Sequence, residues 1–309
     1  MTRRRALLAA AGFGLVLLLP LVVQDYYLSV LFRIALYAGL GLAWNLVGGY
    51  AGQLSLGHAA FFGIGAYGLP LFHRLGVPTV IAMLLGTAAA VVAAIVIGRV
   101  SFRLRGPYFA LATIAFAEVL RLTSKNLDDL TGGDVGIQVP VLFASDPTRW
   151  SYWSAVALTA AVFTTTAVIL RSRFGYALQA VREDEDSTMA CGIDPARTKL
   201  TAFAISAAFT ALGGALYANL FFYIVPDQVF SLPEVSEKAA VVAMLGGAGT
   251  LSGPIVGAIV LETAQELFKA QFHEAYQLIY GVLLVVVVLF LPEGIVGSVG
   301  RWWRKARAS

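Results

Sequence analysis

Long apolar runs separated by short polar stretches dominate this chain. The runs near 6–23, 28–47, 54–72, 77–97, 107–122, 151–170, 200–222 and 276–292 each approach the ~20 residues that a membrane-crossing helix needs. They are rich in Val, Leu and Ala with scattered Gly, and they lack the ten-residue alternation of a transmembrane barrel strand. The pattern therefore predicts an all-α polytopic membrane protein, one domain over 1–309, with about eight full transmembrane helices. A further apolar region, 238–268, is interrupted by LGGAGTLSGPIVGA. Gly246, Gly247, Gly249, Gly253 and Pro254 do not make a continuous helix, so this region is expected to be a broken or re-entrant helix pair.

A second irregular stretch, GGYAGQLSLGHAAFFGIGAY at 48–67, is too Gly-rich for an ordinary helix interior and too polar for lipid. Irregular backbone at membrane depth survives inside protein or against a water-filled cavity. Gly57, Gly63 and Gly65 suit close helix packing. Gln53, Ser55 and His58, with Asn45 just before them, are candidates for a polar path, as is Glu118 within a short apolar run. For Glu118 a partner one turn on, Arg121, is the alternative reading. Residues 51–55 read AGQLS and 248–252 read AGTLS. Matching interruptions in two parts of a chain are what internal repeats of transporters leave.

Composition and charge sharpen this picture. Hydrophobic residues make up 59% of the chain and charged residues 13%, far from the balance of a soluble domain. The Lys and Arg residues cluster at the N-terminus, at 99–105, between 171 and 199, and in the tail RWWRKAR. The positive-inside bias then puts both termini and those loops in the cytoplasm, with an uncleaved first span and with Trp302 and Trp303 at the interface. The single cysteine, Cys191, fits a reduced compartment. The polar loop 123–150, with TGGDVGI at 131–137, falls outside by parity.

The stretch 171–199, RSRFGYALQAVREDEDSTMACGIDPARTK, is the one large charged insertion between apolar runs. Tyr176 to Ala190 is predicted to be a helix, with Gly175 before it and Gly192 after it. It carries a dense patch at Arg182, Glu183, Asp184, Glu185 and Asp186. Its small face, at Ala190 and Gly192, suits insertion into a partner's groove. The chain has no G-x-x-x-x-G-K-[ST], no G-x-S-x-G and no metal-ligand spacing among its three histidines. No cofactor or metal is expected, and an energy source would have to come from a partner. A passive channel for a small polar solute is one rival reading. A membrane-embedded enzyme using His58 and Glu118 is another, and it needs those two side chains together in a cavity.

Five stretches together resemble a known family. They are GYAGQLSLGHAAFFGIGAY at 49–67, RLRGPYFALATIAFAEVLR at 103–121, LTGGDVGI at 130–137, AVREDEDSTMACGIDPARTKLTAFAISAAFTALGGALYA at 180–218, and LGGAGTLSGPIVGA at 245–258. The chain resembles the LivM-type permease subunits of bacterial branched-chain amino acid ABC importers. The resemblance implies an importer permease fold in the bacterial inner membrane, without enzymatic activity of its own. It implies a second related permease, two ABC ATPase subunits and a periplasmic substrate-binding protein as partners, in membrane lipid and without nucleic acid. It also implies that 180–194 couples to the ATPase, through Arg182, Glu183, Asp184, Ala190, Gly192 and Ile193. Relatives of this kind carry amino acids, short amides or urea.

Overall fold

The computed structural model describes residues 19–21, 23–104, 106–142, 146–271, 281 and 294–298. The expected spans at 6–23 and 276–292 lie largely outside them, and the basic tail with Trp302 and Trp303 lies wholly outside. Ten helices of more than one turn carry the described fold: α1 Asp25–Asn45, α2 His58–Arg74, α3 Thr79–Ser101, α4 Pro107–Asn126, α5 Pro147–Leu170, α6 Arg173–Glu183, α7 Glu185–Ala190, α8 Pro195–Phe221, α9 Lys238–Gly246 and α10 Gly253–Gln271. π-Helical turns extend α1 over Leu46–Tyr50 and precede α9 over Leu232–Glu237. Two two-residue strands, β1 Ile137–Gln138 and β2 Tyr223–Ile224, pair antiparallel.

Among the described residues, four helical stretches are long and apolar enough to cross a membrane: Asp25–Tyr50, Thr79–Ser101, Pro147–Leu170 and Pro195–Phe221. This is coarser than the count of eight. Helix α2 has only 17 residues because the chain from Ala51 to Gly57 stays irregular, so the run at 54–72 is not helical from its start. Helix α10 carries Glu262, Glu266 and Lys269.

The packing follows membrane logic. In α3 the buried positions are Ala82, Gly86, Ala90, Ala94, Gly98 and Ser101, a small-residue stripe at four-residue steps with a last step of three. Val80, Ile81, Leu84, Leu85, Val92, Val96 and Val100 point outward. Small side chains let helices approach where lipid offers no hydrophobic driving force for association. A Cβ on Gly65 would lie 2.0 Å from the Ala211 carbonyl oxygen of α8, and one on Gly63 would strike the Phe230 ring at 2.2 Å. The glycines of the 57–65 stretch are therefore packing residues.

The helices run between two ends. At the cap end, Arg74 donates to the Leu130 carbonyl, β1 meets β2, and Leu142 N–H donates to Asn219 Oδ1. At the opposite end lies the charged stretch, so we call it the loop end. Helix α1 descends to the loop end, the chain breaks, and α2 climbs back. Helices α9 and α10 do the same around a break at 247–252 and lie antiparallel, with Lys238 beside Gln265 and Gly246 against Gly253. The region 238–268 is thus interrupted where the glycines sit. Gly294 packs on Gly247, which returns the chain to the loop end.

The charged stretch differs from the single helix expected over 176–190. It forms two helices at an angle, α6 and α7, with Asp184 extended between them at φ −160° and ψ 119°. The Asp184 side chain accepts from Ser187 N–H and caps α7, which satisfies an orphan donor there and favours a fresh helix start. Gly175 lies inside α6 rather than before it, in contact with the Ile169 carbonyl.

Candidate functional site: the junction of two broken helices

The two breaks meet. Asn45, fully buried at the end of α1, donates through Nδ2 to the Thr250 carbonyl (2.9 Å) and accepts at Oδ1 from Gly249 N–H (2.8 Å). One amide side chain therefore replaces two backbone partners that the broken α9–α10 helix cannot supply. Gly52 and Gly249 occupy the same place in AGQLS and AGTLS, and both adopt left-handed backbone, at φ +69° and +76°. The sequence match is thus a conformational match. Both helix pairs descend to their break and return in the same sense.

The charged stretch reaches into this junction. Arg182, in the last turn of α6, donates through Nη1 to the Gly49 carbonyl (2.6 Å), and the same nitrogen lies beside Gly249. Its stem lies along Gly52. The guanidinium therefore touches both breaks. A second tie, missed from the sequence, joins α7 to α8: Lys199, 5% exposed at its side chain, pairs with Glu185. Around these ties Glu183, Asp184, Met189, Ala190, Cys191 and Gly192 stay exposed, and Ile193 is half-buried. Gly192 has φ +82°, and a Cβ there would meet nothing within 4 Å.

The candidate polar-path residues divide. Ser55 is buried, with its carbonyl accepting from Trp44 Nε1 (2.7 Å). His58 is buried, and its Nε2 lies 2.8 Å from Ser206 Oγ. The Ser206 hydroxyl donates to the Ala43 carbonyl (2.6 Å), so it accepts from the Nε2–H of His58. These two side chains lock α1, α2 and α8 together. Gln53 is half-buried and holds the turn by donating its N–H to the Val47 carbonyl (2.9 Å). Glu118 is elsewhere. It forms a two-pronged pair with Arg121, which also reaches Asp227, while Lys125 bridges Asp227 and Asp134 (3.0 Å each). The structure gives His58 and Glu118 separate partners, which removes the enzyme reading that needed them side by side. The hydrogen bond from Lys125 holds the Asp227 carboxyl below the usual carboxylate range.

A buried ionic cluster went unread in the sequence. Lys238 pairs with Glu262 (2.6 Å), both nearly inaccessible, and Arg33 pairs with Glu266 (2.6 Å) and approaches Glu262 (3.7 Å). The two cations and two anions sit on α1, α9 and α10, far apart in sequence. The only signal was the rarity of charges within these apolar runs.

Helices packed through small residues, aliphatic side chains outward, and two matched breaks tied to a charged loop define a membrane transport body. Residues 26–288 match the family described as branched-chain amino acid transport system / permease component, and the chain belongs to it. It is 32% identical to the high-affinity branched-chain amino acid transport system permease protein LivM of Salmonella typhimurium strain LT2, over 89% of this chain and 71% of that one. It is 32% identical to LivM of Escherichia coli K12, over 95% of this chain and 75% of that one. The permease protein LivH of the latter strain is 28% identical over 84% and 91%. No solved structure matches the chain.

Proposed function

We propose that this chain is one of two related permease subunits of an ATP-driven importer for branched-chain amino acids or similar small polar solutes. It sits in the bacterial inner membrane with both termini cytoplasmic. Partner ABC ATPases hydrolyse ATP, and an external binding protein delivers the solute. The likeness to both LivM and LivH supports a paired permease. The reading extends the observed helices to eight crossings and a hairpin pair, with the loop end in the cytoplasm. In this reading α7 and the residues up to Ile193 dock on the ATPase through Glu183, Asp184, Ala190, Gly192 and Ile193, while Arg182 carries the motion inward. The observation that carries it is the Arg182 contact with both breaks, directly behind an exposed, small-residued surface. A push on α7 reaches α6 through Asp184, then Gly49 and Gly249 through Arg182.

Gly192→Trp tests this with little disturbance of the chain. The site is open at the Cβ, which meets nothing within 4 Å, and the positive φ costs roughly 1–2 kcal/mol. The variant should insert and purify as a stable permease, yet fail to retain the ATPase or to support uptake in proteoliposomes. Normal ATPase retention together with normal uptake would remove this surface from the coupling path.

A further inference from the structure

A cavity of about 250 Å³ lies between α1, α2, α8 and the segment preceding α9, lined by Tyr37, Phe62, Tyr217, Gln228, Glu234 and Val235. Its depth follows from helix geometry. The Tyr37 hydroxyl donates to the Glu234 carbonyl (3.0 Å), and Tyr37 stands twelve residues into α1. At 1.5 Å per residue Tyr37 is about 18 Å below the cap-end start of α1, whereas Tyr217 stands four residues, about 6 Å, from the cap-end terminus of α8, so the cavity runs from near the cap end toward the middle of a bilayer core. Ser236 gives an independent check. Its hydroxyl accepts from Ala59 N–H (2.8 Å), and Ala59 lies fifteen residues, about 22 Å, below Arg74.

Glu234 is exposed at that depth, and its carboxylate makes no ion pair among the described residues. Hydrocarbon does not tolerate a free carboxylate, so this face meets water or a polar solute. The rest of the wall is amphipathic. Phe62 and Val235 are buried and apolar, and the Phe62 and Tyr217 rings meet edge to face at 5.4 Å. Gln228 Nε2 donates to the Tyr217 hydroxyl (2.7 Å), which leaves the phenol hydrogen for a further acceptor. The volume equals about eight waters at ~30 Å³ each, the size of a solute of about eight or nine non-hydrogen atoms.

We infer that this cavity is a waypoint for a zwitterionic aliphatic amino acid. Glu234 receives the ammonium, the Tyr217 hydroxyl donates to the carboxylate, and Phe62 and Val235 flank the aliphatic side chain. The inference deepens the importer reading and rests on it. It also moves the solute path away from the Ser55 carbonyl and His58 Nε2, which already serve helix contacts.

The test uses the assembled transporter with its ATPase and binding protein in proteoliposomes. Glu234→Gln should lower leucine uptake at least tenfold, and Tyr217→Phe several-fold, while the binding protein still stimulates ATP hydrolysis. Glu234→Asp should restore part of the uptake. Independently, Glu234→Cys in a Cys191→Ser background should react with a small polar thiol reagent, and saturating leucine should slow that reaction several-fold. If wild-type complex takes up leucine and all the variants match it, or if Glu234→Cys stays inert, the waypoint is wrong and the importer reading stands. If wild-type complex takes up no zwitterionic amino acid, the waypoint falls together with the amino acid form of the importer reading, and uptake of another small polar solute then decides whether an importer remains.

Discussion

Asn45→Ala should loosen the junction on which the proposed coupling depends. The side chain is fully buried and makes two bonds, from Nδ2 to the Thr250 carbonyl and from Gly249 N–H to Oδ1. Removing it strands one N–H and one carbonyl. Each buried orphan costs about 1–3 kcal/mol, and because these bonds are only part-buried, water can recover some of that. The expected loss is about 2–4 kcal/mol. Truncating Arg182 to Ala removes a charge-assisted bond to the Gly49 carbonyl at a more exposed position, an expected loss of about 1 kcal/mol. Both side chains brace the same pair of loops, so the double variant should be non-additive by about 0.5 kcal/mol or more. Asn45→Asp keeps the acceptor for Gly249 but sets a carboxylate oxygen against the Thr250 carbonyl, and should be no better than Ala. Thermal unfolding of the purified permease in detergent measures all four, with proteolysis at 247–252 reporting local opening. If Asn45→Ala stays within about 0.5 kcal/mol of wild type and adds simply to Arg182→Ala, the two breaks are not one mechanical joint.

Other outcomes follow from the packing and the charges. Lys238→Ala should cost about 3 kcal/mol, because it removes the nearer cation from buried Glu262 and leaves it only Arg33 at 3.7 Å, and Lys238→Met with Glu262→Gln should recover part of that in the same unfolding assay. Gly65→Leu should prevent stable assembly of α2 against α8, read as loss of a monodisperse peak, since even a Cβ would sit 2.0 Å from the Ala211 carbonyl oxygen. Acid should spare the cap end until the pH is low. The Asp227 carboxyl is depressed below its ordinary value near 3.8 by Lys125, so its contribution is present above that value and is lost as pH falls through the lower folded one. Hydrogen-exchange protection at β1 and β2, taken relative to the intrinsic exchange rate at each pH, should therefore hold steady from pH 8 to about 5 and fall only below about 4, and an earlier fall would contradict the assignment.

The sequence by itself determined the class of this protein and the places where its helices stop. Runs of about 20 apolar residues have one stable form in lipid, and a cluster such as LGGAG cannot continue a helix, so both features are local and legible. The charged stretch 171–199 was legible as well, because no other long insertion between apolar runs carries so many ionisable residues. Its break at Asp184 was not. The pattern favoured one helix, and a side-chain cap to Ser187 outweighed it. Tertiary structure decided which polar groups are spoken for. Ser55, His58 and Glu118 read alike from the sequence as polar residues in apolar surroundings. In the fold, Ser55 and His58 fasten helices and Glu118 joins a salt-bridge cluster at the cap end. The Asn45 clasp, the Arg182 strut and the Lys238–Glu262 pair each join residues at least 24 positions apart. No periodicity records such a pairing, because it depends on how separate helices lie against one another.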